Sequence, residues 1–110
     1  MEKILMVTTP EIPGYRIKEV KGIVYGESIR TRGFLGRFAA GLEALAGGRS
    51  YAYLRELEKT RSEAIEDLAR NAAKMGANAV VGVDFETSEI LEGFLVITAY
   101  GTAVVVEPEP

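Results

Sequence analysis

Apolar and polar residues alternate along this chain in two periods, one suited to strands and one to helices. Ile4 to Thr8 is a short β-rich run. Thr9-Pro10-Glu11-Ile12-Pro13-Gly14 closes it, and two prolines with a glycine make a turn. Tyr15 to Glu27 reads as a second strand carrying Ile17, Val20, Ile23, Val24 and Tyr25. Its alternation slips near Gly22, which predicts a bulge there. The two runs are expected to form a hairpin. Ser28 to Gly33 is polar. Phe34 to Ala46 spaces Leu35, Phe38, Leu42 and Leu45 by three, four and three residues, which is helical. Gly36 and Gly41 weaken that helix by about 1 kcal/mol each.

Gly47-Gly48 breaks the first helix, and Ser50 suits the N-cap of a second. Leu54, Leu57, Arg61, Ile65, Leu68, Ala72 and Met75 then fall on one stripe. Glu66 and Arg70 make a supporting pair four residues apart. Gly76 supplies a left-handed stop. About 25 residues at 1.5 Å each give a helix of roughly 37 Å, long enough to cross a small sheet. Ala79 to Ser88 reads as a third strand, with Val81, Val83 and Phe85 on one face and Val80, Gly82, Asp84 and Glu86 on the other. Glu89 to Gly93 is an acidic connection, and Phe94 to Val106 is the fourth strand. Glu107-Pro108-Glu109-Pro110 is expected to be a frayed, disordered tail.

This order predicts an α+β fold: one domain over residues 1–110, a two-layer ββααββ subunit whose mostly antiparallel sheet carries its helices on one face. The fourth strand is apolar on both sides, with Phe94, Val96, Tyr100, Val104 and Val106 facing one way and Leu95, Ile97, Ala99, Ala103 and Val105 the other. A sheet covered on one face only should be polar on its second. A second copy of the chain is the simplest cover for such a surface.

Composition narrows the chemistry. The 110 residues are 47% apolar and 26% charged, with a net charge of -3, so a globular domain is expected and nucleic acid is not an expected partner. There is no cysteine and no histidine. Thiolate and imidazole sites for zinc, copper, iron or nickel therefore cannot be built, and neither can Ser-His-Asp or Cys-His catalysis. Oxygen-ligand cations such as magnesium or calcium remain open. No apolar run approaches the roughly 20 residues of a membrane span. The N-terminal run is too short for a signal peptide, so no membrane partner and a cytoplasmic location are expected. These residue types lead to the expectation of a protein that is not an enzyme and carries no cofactor.

Several short motifs occur together. They are Thr8-Thr9-Pro10, Ile12-Pro13-Gly14, Gly22-Ile23-Val24, Gly47-Gly48-Arg49-Ser50 with Tyr53, Arg61 with Ala64, Ala72 before Gly76-Ala77-Asn78-Ala79-Val80-Val81-Gly82, and Ala99-Tyr100-Gly101-Thr102-Ala103-Val104. In this combination, over nearly the whole chain, the sequence resembles the YbjQ-like family. The resemblance implies a two-layer subunit similar to dodecin-like folds, assembled with itself as a ring, a homopentamer. It also brings a family label, "putative heavy-metal-binding domain". The soft ligands this chain has for such an ion are Met1, Met6 and Met75.

Four places could carry function. Arg61 sits where the helical stripe calls for an apolar side chain. Its stem can pack while its head pairs with a carboxylate, or its guanidinium can hold an anion in a pocket between subunits. Gly47-Gly48-Arg49-Ser50 precedes a helix start, where free amides and Arg49 can bind phosphate or carboxylate, or simply make a turn and an N-cap. Arg49, Tyr53 and Arg61 are thus the candidate residues for a small anionic ligand. Asp84 and Glu86, with Glu89 and Glu92 nearby, can hold a hard cation or form a solvated rim. Tyr25, Tyr51, Tyr53 and Tyr100 suit core or interface positions, or a stacked ligand. The expected function is a non-enzymatic homo-oligomeric module for a small ligand. The alternatives are a structural scaffold and a metal-binding protein.

Overall fold

The computed structural model describes residues 3–31, 51–89 and 94–110. Its elements run β1 (Leu5–Met6), β2 (Tyr15–Thr31), α1 (Tyr51–Lys74), β3 (Ala79–Glu89) and β4 (Phe94–Pro108). The strands form one mostly antiparallel sheet in the order β1-β3-β4-β2, with α1 on one face. The α+β class follows. The expected helix Phe34 to Ala46 and the N-cap Ser50 lie outside the described residues.

The expected hairpin between the first two strands does not form. β1 pairs parallel with β3, while β2 pairs antiparallel with β4 on the opposite edge. The turn segment spans the sheet instead of doubling back. Val7 and Thr9 stay bonded to β3 through Val83 N–H to Val7 C=O (3.0 Å) and Gly82 N–H to Thr9 C=O (2.9 Å). Ile12 then tucks under the sheet beside Val81, Val104 and Val106. Glu109 N–H bonds Gly14 C=O at 2.9 Å, which starts β2 at the other edge. The same bond corrects the frayed tail: β4 runs to Pro108, and Arg16 pairs with Glu107.

The helix stripe stands as expected at Leu68 and Ala72, with Met75 packed against the core, and departs from the expectation in its first half. Thr60, Ala64, Leu68 and Ala72, each four residues on from the last, are buried, whereas Arg61 is exposed and Leu54 is 53% exposed. Thr60 fits this apolar line because its hydroxyl donates back to Glu56 C=O at 2.7 Å. The helix comes very close to β2 at Gly26: a Cβ there would lie 2.2 Å from the Leu68 amide nitrogen and 2.3 Å from the Ala64 carbonyl oxygen. Gly76 ends the helical turn in the left-handed region at φ 82°, as expected.

Bulges set the faces of the sheet. β2 slips register between Val20 and Gly22, as its broken alternation indicates, and again between Ile17 and Glu19. β3 slips between Val81 and Asp84, where Gly82 takes φ 63°. The extra residue corrects the expected alternation of β3. Val80 and Val83 share the helix-side core, and Val81 joins the far-side cluster instead of sharing a face with Val83. The faces of β4 fall as the sequence pattern has them, with Ile97, Ala99 and Ala103 toward the helix and Val104 and Val106 away from it.

Candidate functional site

Two features stand out once the core is set aside: a polar clasp between α1 and β2, and an apolar row on the other face of β2. The clasp uses helix residues seven, four and four apart, namely Glu56, Glu63, Asp67 and Asn71. Such spacing keeps them along one side of a helix. Arg30 pairs with Glu63 and reaches Glu56 at 3.9 Å, while Ser28 donates to Glu63 at 3.4 Å. The hydrogen bond from Arg30 holds the Glu63 carboxyl below the usual glutamate range, against the opposing pull of burial. Asp67 accepts the Glu27 N–H at 2.9 Å, and Asn71 donates to the Tyr25 carbonyl at 2.7 Å. The sequence reading missed this clasp, although the regular polar spacing on the helix was there to be seen.

The far face of β2 is different. Ile17, Val20, Ile23, Tyr25 and Ile29 stand opposite Val106, Val104, Thr102, Tyr100 and Val96 of β4. Val20 is 63% exposed, Ile23 67%, and Tyr25 and Ile29 54% each. The expected apolar second face is therefore present but displaced. The chain's own Ile12 and Val7 cover it at the Val104 and Val106 end, and the open part lies on β2.

Acidic groups border this row. Asp84 accepts from the Phe85 amide at 2.8 Å and from the Tyr100 hydroxyl at 3.3 Å. The Asp84 charge raises the Tyr100 pKa above the ordinary tyrosine value. Glu27 takes a 3.4 Å bond from Thr98. Asp84 is thus occupied by its own neighbours, and among the described residues no group of three or more acidic side chains is placed to hold a cation.

Of the three anion-binding candidates, Arg61 lies on the exposed side of α1, beside the buried Thr60. Tyr53 falls in the first turn of α1, but its side chain is outside the description. Arg49 and the Gly47-Gly48-Arg49-Ser50 turn lie outside the described residues altogether. An open cleft of about 520 Å³ lies between the start of β2 and the end of β4, where Ile12, Tyr15, Arg16 and Val106 are among its walls. Asn78 explains the motif that contains it: its side chain accepts from Val106 N–H at 2.8 Å and donates to Val106 C=O at 2.9 Å, so it closes the helix-to-β3 turn onto β4.

A curled four-stranded sheet with a helix clasped to one face and an apolar strand bared on the other defines a small α+β domain. A crystal structure of a protein of unknown function from Pediococcus pentosaceus, in the DUF74 family, superposes with a TM-score of 0.63 at 17% identity, covering 94% of this chain and 98% of that one. The chain belongs to the YbjQ family, described as "Putative heavy-metal-binding", which matches residues 4–107. Its relatives include UPF0145 proteins from Methanoregula boonei (45% identical over 98% of this chain and 90% of the relative) and Sulfurisphaera tokodaii (45%, over 94% and 90%). A UPF0145 protein from Solibacter usitatus is 41% identical over 94% of this chain and 92% of its own length.

The residues present do not fit a soft heavy-metal ion. Histidine and cysteine are absent, and the thioethers of Met6 and Met75 pack against the helix-side core.

Proposed function

We propose that this protein is a non-enzymatic, homo-oligomeric module that binds a small anionic ligand, assembled as the pentameric ring that the family resemblance implies. The observation that carries the reading is the bared row on β2. From Ile17 to Ile29 its exposed surface is on the order of 500 Å², a patch as large as monomeric proteins usually leave uncovered and more than half of what one partner gives to a standard interface. The lack of histidine and cysteine favours a non-enzymatic role. Among the described residues no helix is long and apolar enough to cross a membrane, which is compatible with a cytoplasmic setting.

The ligand part rests on Arg61, a guanidinium on the open side of α1, for which carboxylate or phosphate is the matching chemistry. Native mass spectrometry of gently purified protein is expected to show the assembled mass with a small bound anion. Arg61→Ala is expected to keep the assembly and lose the added mass. An anion retained by that variant with unchanged affinity contradicts the ligand role of Arg61.

A further inference from the structure

An exposed outer strand offers a partner two ways in: along its edge by backbone pairing, or onto its face by side-chain packing. On β2 the edge is already partly occupied. In a strand, residues two apart point their backbone groups the same way. Tyr25, Glu27 and Ile29 form such a series. The Tyr25 C=O is taken by the Asn71 amide at 2.7 Å, the Glu27 N–H by the Asp67 carboxylate at 2.9 Å, and the Ile29 C=O by the Arg30 guanidinium at 3.1 Å. Three successive residues that an incoming strand would need are thus bonded within the chain.

The lower half of β2 is guarded in another way. Its two bulges break the ladder at Lys18 and Lys21, and bulges and lysines are common devices against strand addition. What remains open is the far face, which presents hydrocarbon and a tyrosine ring, with the Glu27 carboxylate between Tyr25 and Ile29 bonded by Thr98 at 3.4 Å. It offers little to a nucleic acid or to a polar ligand.

We infer that copies of this chain meet face-on, with Val20, Ile23, Tyr25 and Ile29 of β2 buried against a second copy and the β2 edge left sealed by Asp67, Asn71 and Arg30. This rests on the homo-oligomer reading and names the surface that serves it. A second copy is the occupant because the open area is more than half of what one partner contributes to a standard interface, and because the bonded edge groups disfavour an extended peptide. The seal also has a purpose in an assembling protein: it keeps the contact to one geometry and suppresses open-ended strand pairing.

The absence of native cysteine makes a clean test. Ile23→Cys places one thiol in the row, and Glu58→Cys places one on the exposed side of α1. Each full-length variant is first checked by light scattering for the mass of the native protein. Maleimide labelling of Ile23→Cys is expected to be slower than that of Glu58→Cys by about tenfold or more in the assembled protein, and the two rates are expected to converge in denaturant. Asp67→Ala with Asn71→Ala is expected to leave the native mass intact. An assembled protein in which both thiols label equally fast, or one that dissociates when the seal is removed, overturns the face-on contact and leaves the homo-oligomer reading standing. A single-copy native protein overturns both.

Discussion

Single residues decide how closely α1 can lie on the sheet. Gly26 is the tightest point, because any side chain there would enter the backbone of Ala64 and Leu68. Overpacking of this kind costs typically 1–3 kcal/mol and more where only backbone can yield. Gly26→Ala is expected to lose about 3 kcal/mol or more, read as a shift in the urea midpoint. A variant as stable as the native protein contradicts the close approach. Glu63 sets the acid limit of the clasp. Its folded pKa is lowered, first by the Arg30 hydrogen bond, so its contribution is fully present above the unfolded value of about 4.3 and drains away as pH falls through the folded one. Glu63→Gln is therefore expected to flatten the loss of stability below about pH 4.3 in denaturation series. An unchanged acid limb assigns that loss to other carboxylates. Neither effect was legible beforehand. A glycine in a strand suggests a close approach without naming the partner, and Arg30 and Glu63 meet only because the fold brings them together.

At the scale of elements, the chain states more than it hides. The long helix, described over Tyr51–Lys74, its stop at Gly76, the slip near Gly22 and the two apolar faces of β4 all follow from local pattern, and each is present. Two departures are shifts of phase along an element. In β3 a single extra residue rotates everything after it, so the bulge at Gly82 moves Val83 to the helix side; in α1 the stripe holds at Leu68 and Ala72, but its first half turns on Thr60 and Ala64 instead of Leu54 and Arg61. Threonine did not look like a core residue, but its hydroxyl is satisfied within the helix and can be buried. The corrected stripe separates two leucines of the same helix. Leu68 is fully buried, and Leu68→Ala is expected to cost about 2–5 kcal/mol in chemical denaturation. Leu54 is half exposed, so Leu54→Ala is expected to cost clearly less. Equal losses contradict this register.

At the scale of the molecule, the least legible feature is the route of the chain. The composition of Thr9 to Gly14 signals a turn, but not whether the next strand lies beside the first or beyond two others. The answer depends on Ile12 finding the far-side cluster, a contact made between residues distant in sequence. That route also fixes which part of the second face stays open. Val7 and Ile12 cover one end, and the row on β2 stays open. The anion-binding trio was legible only as residue types: Arg61 is exposed where a packed position was expected, and nothing local in the sequence joins it to Arg49 and Tyr53.

Self-association is the claim on which the functional account stands. Sedimentation equilibrium of the native chain at micromolar concentration tests it most directly. The account predicts a closed assembly near five times the 11.9 kDa of one chain, and a stable, well-behaved species at 11.9 kDa contradicts it.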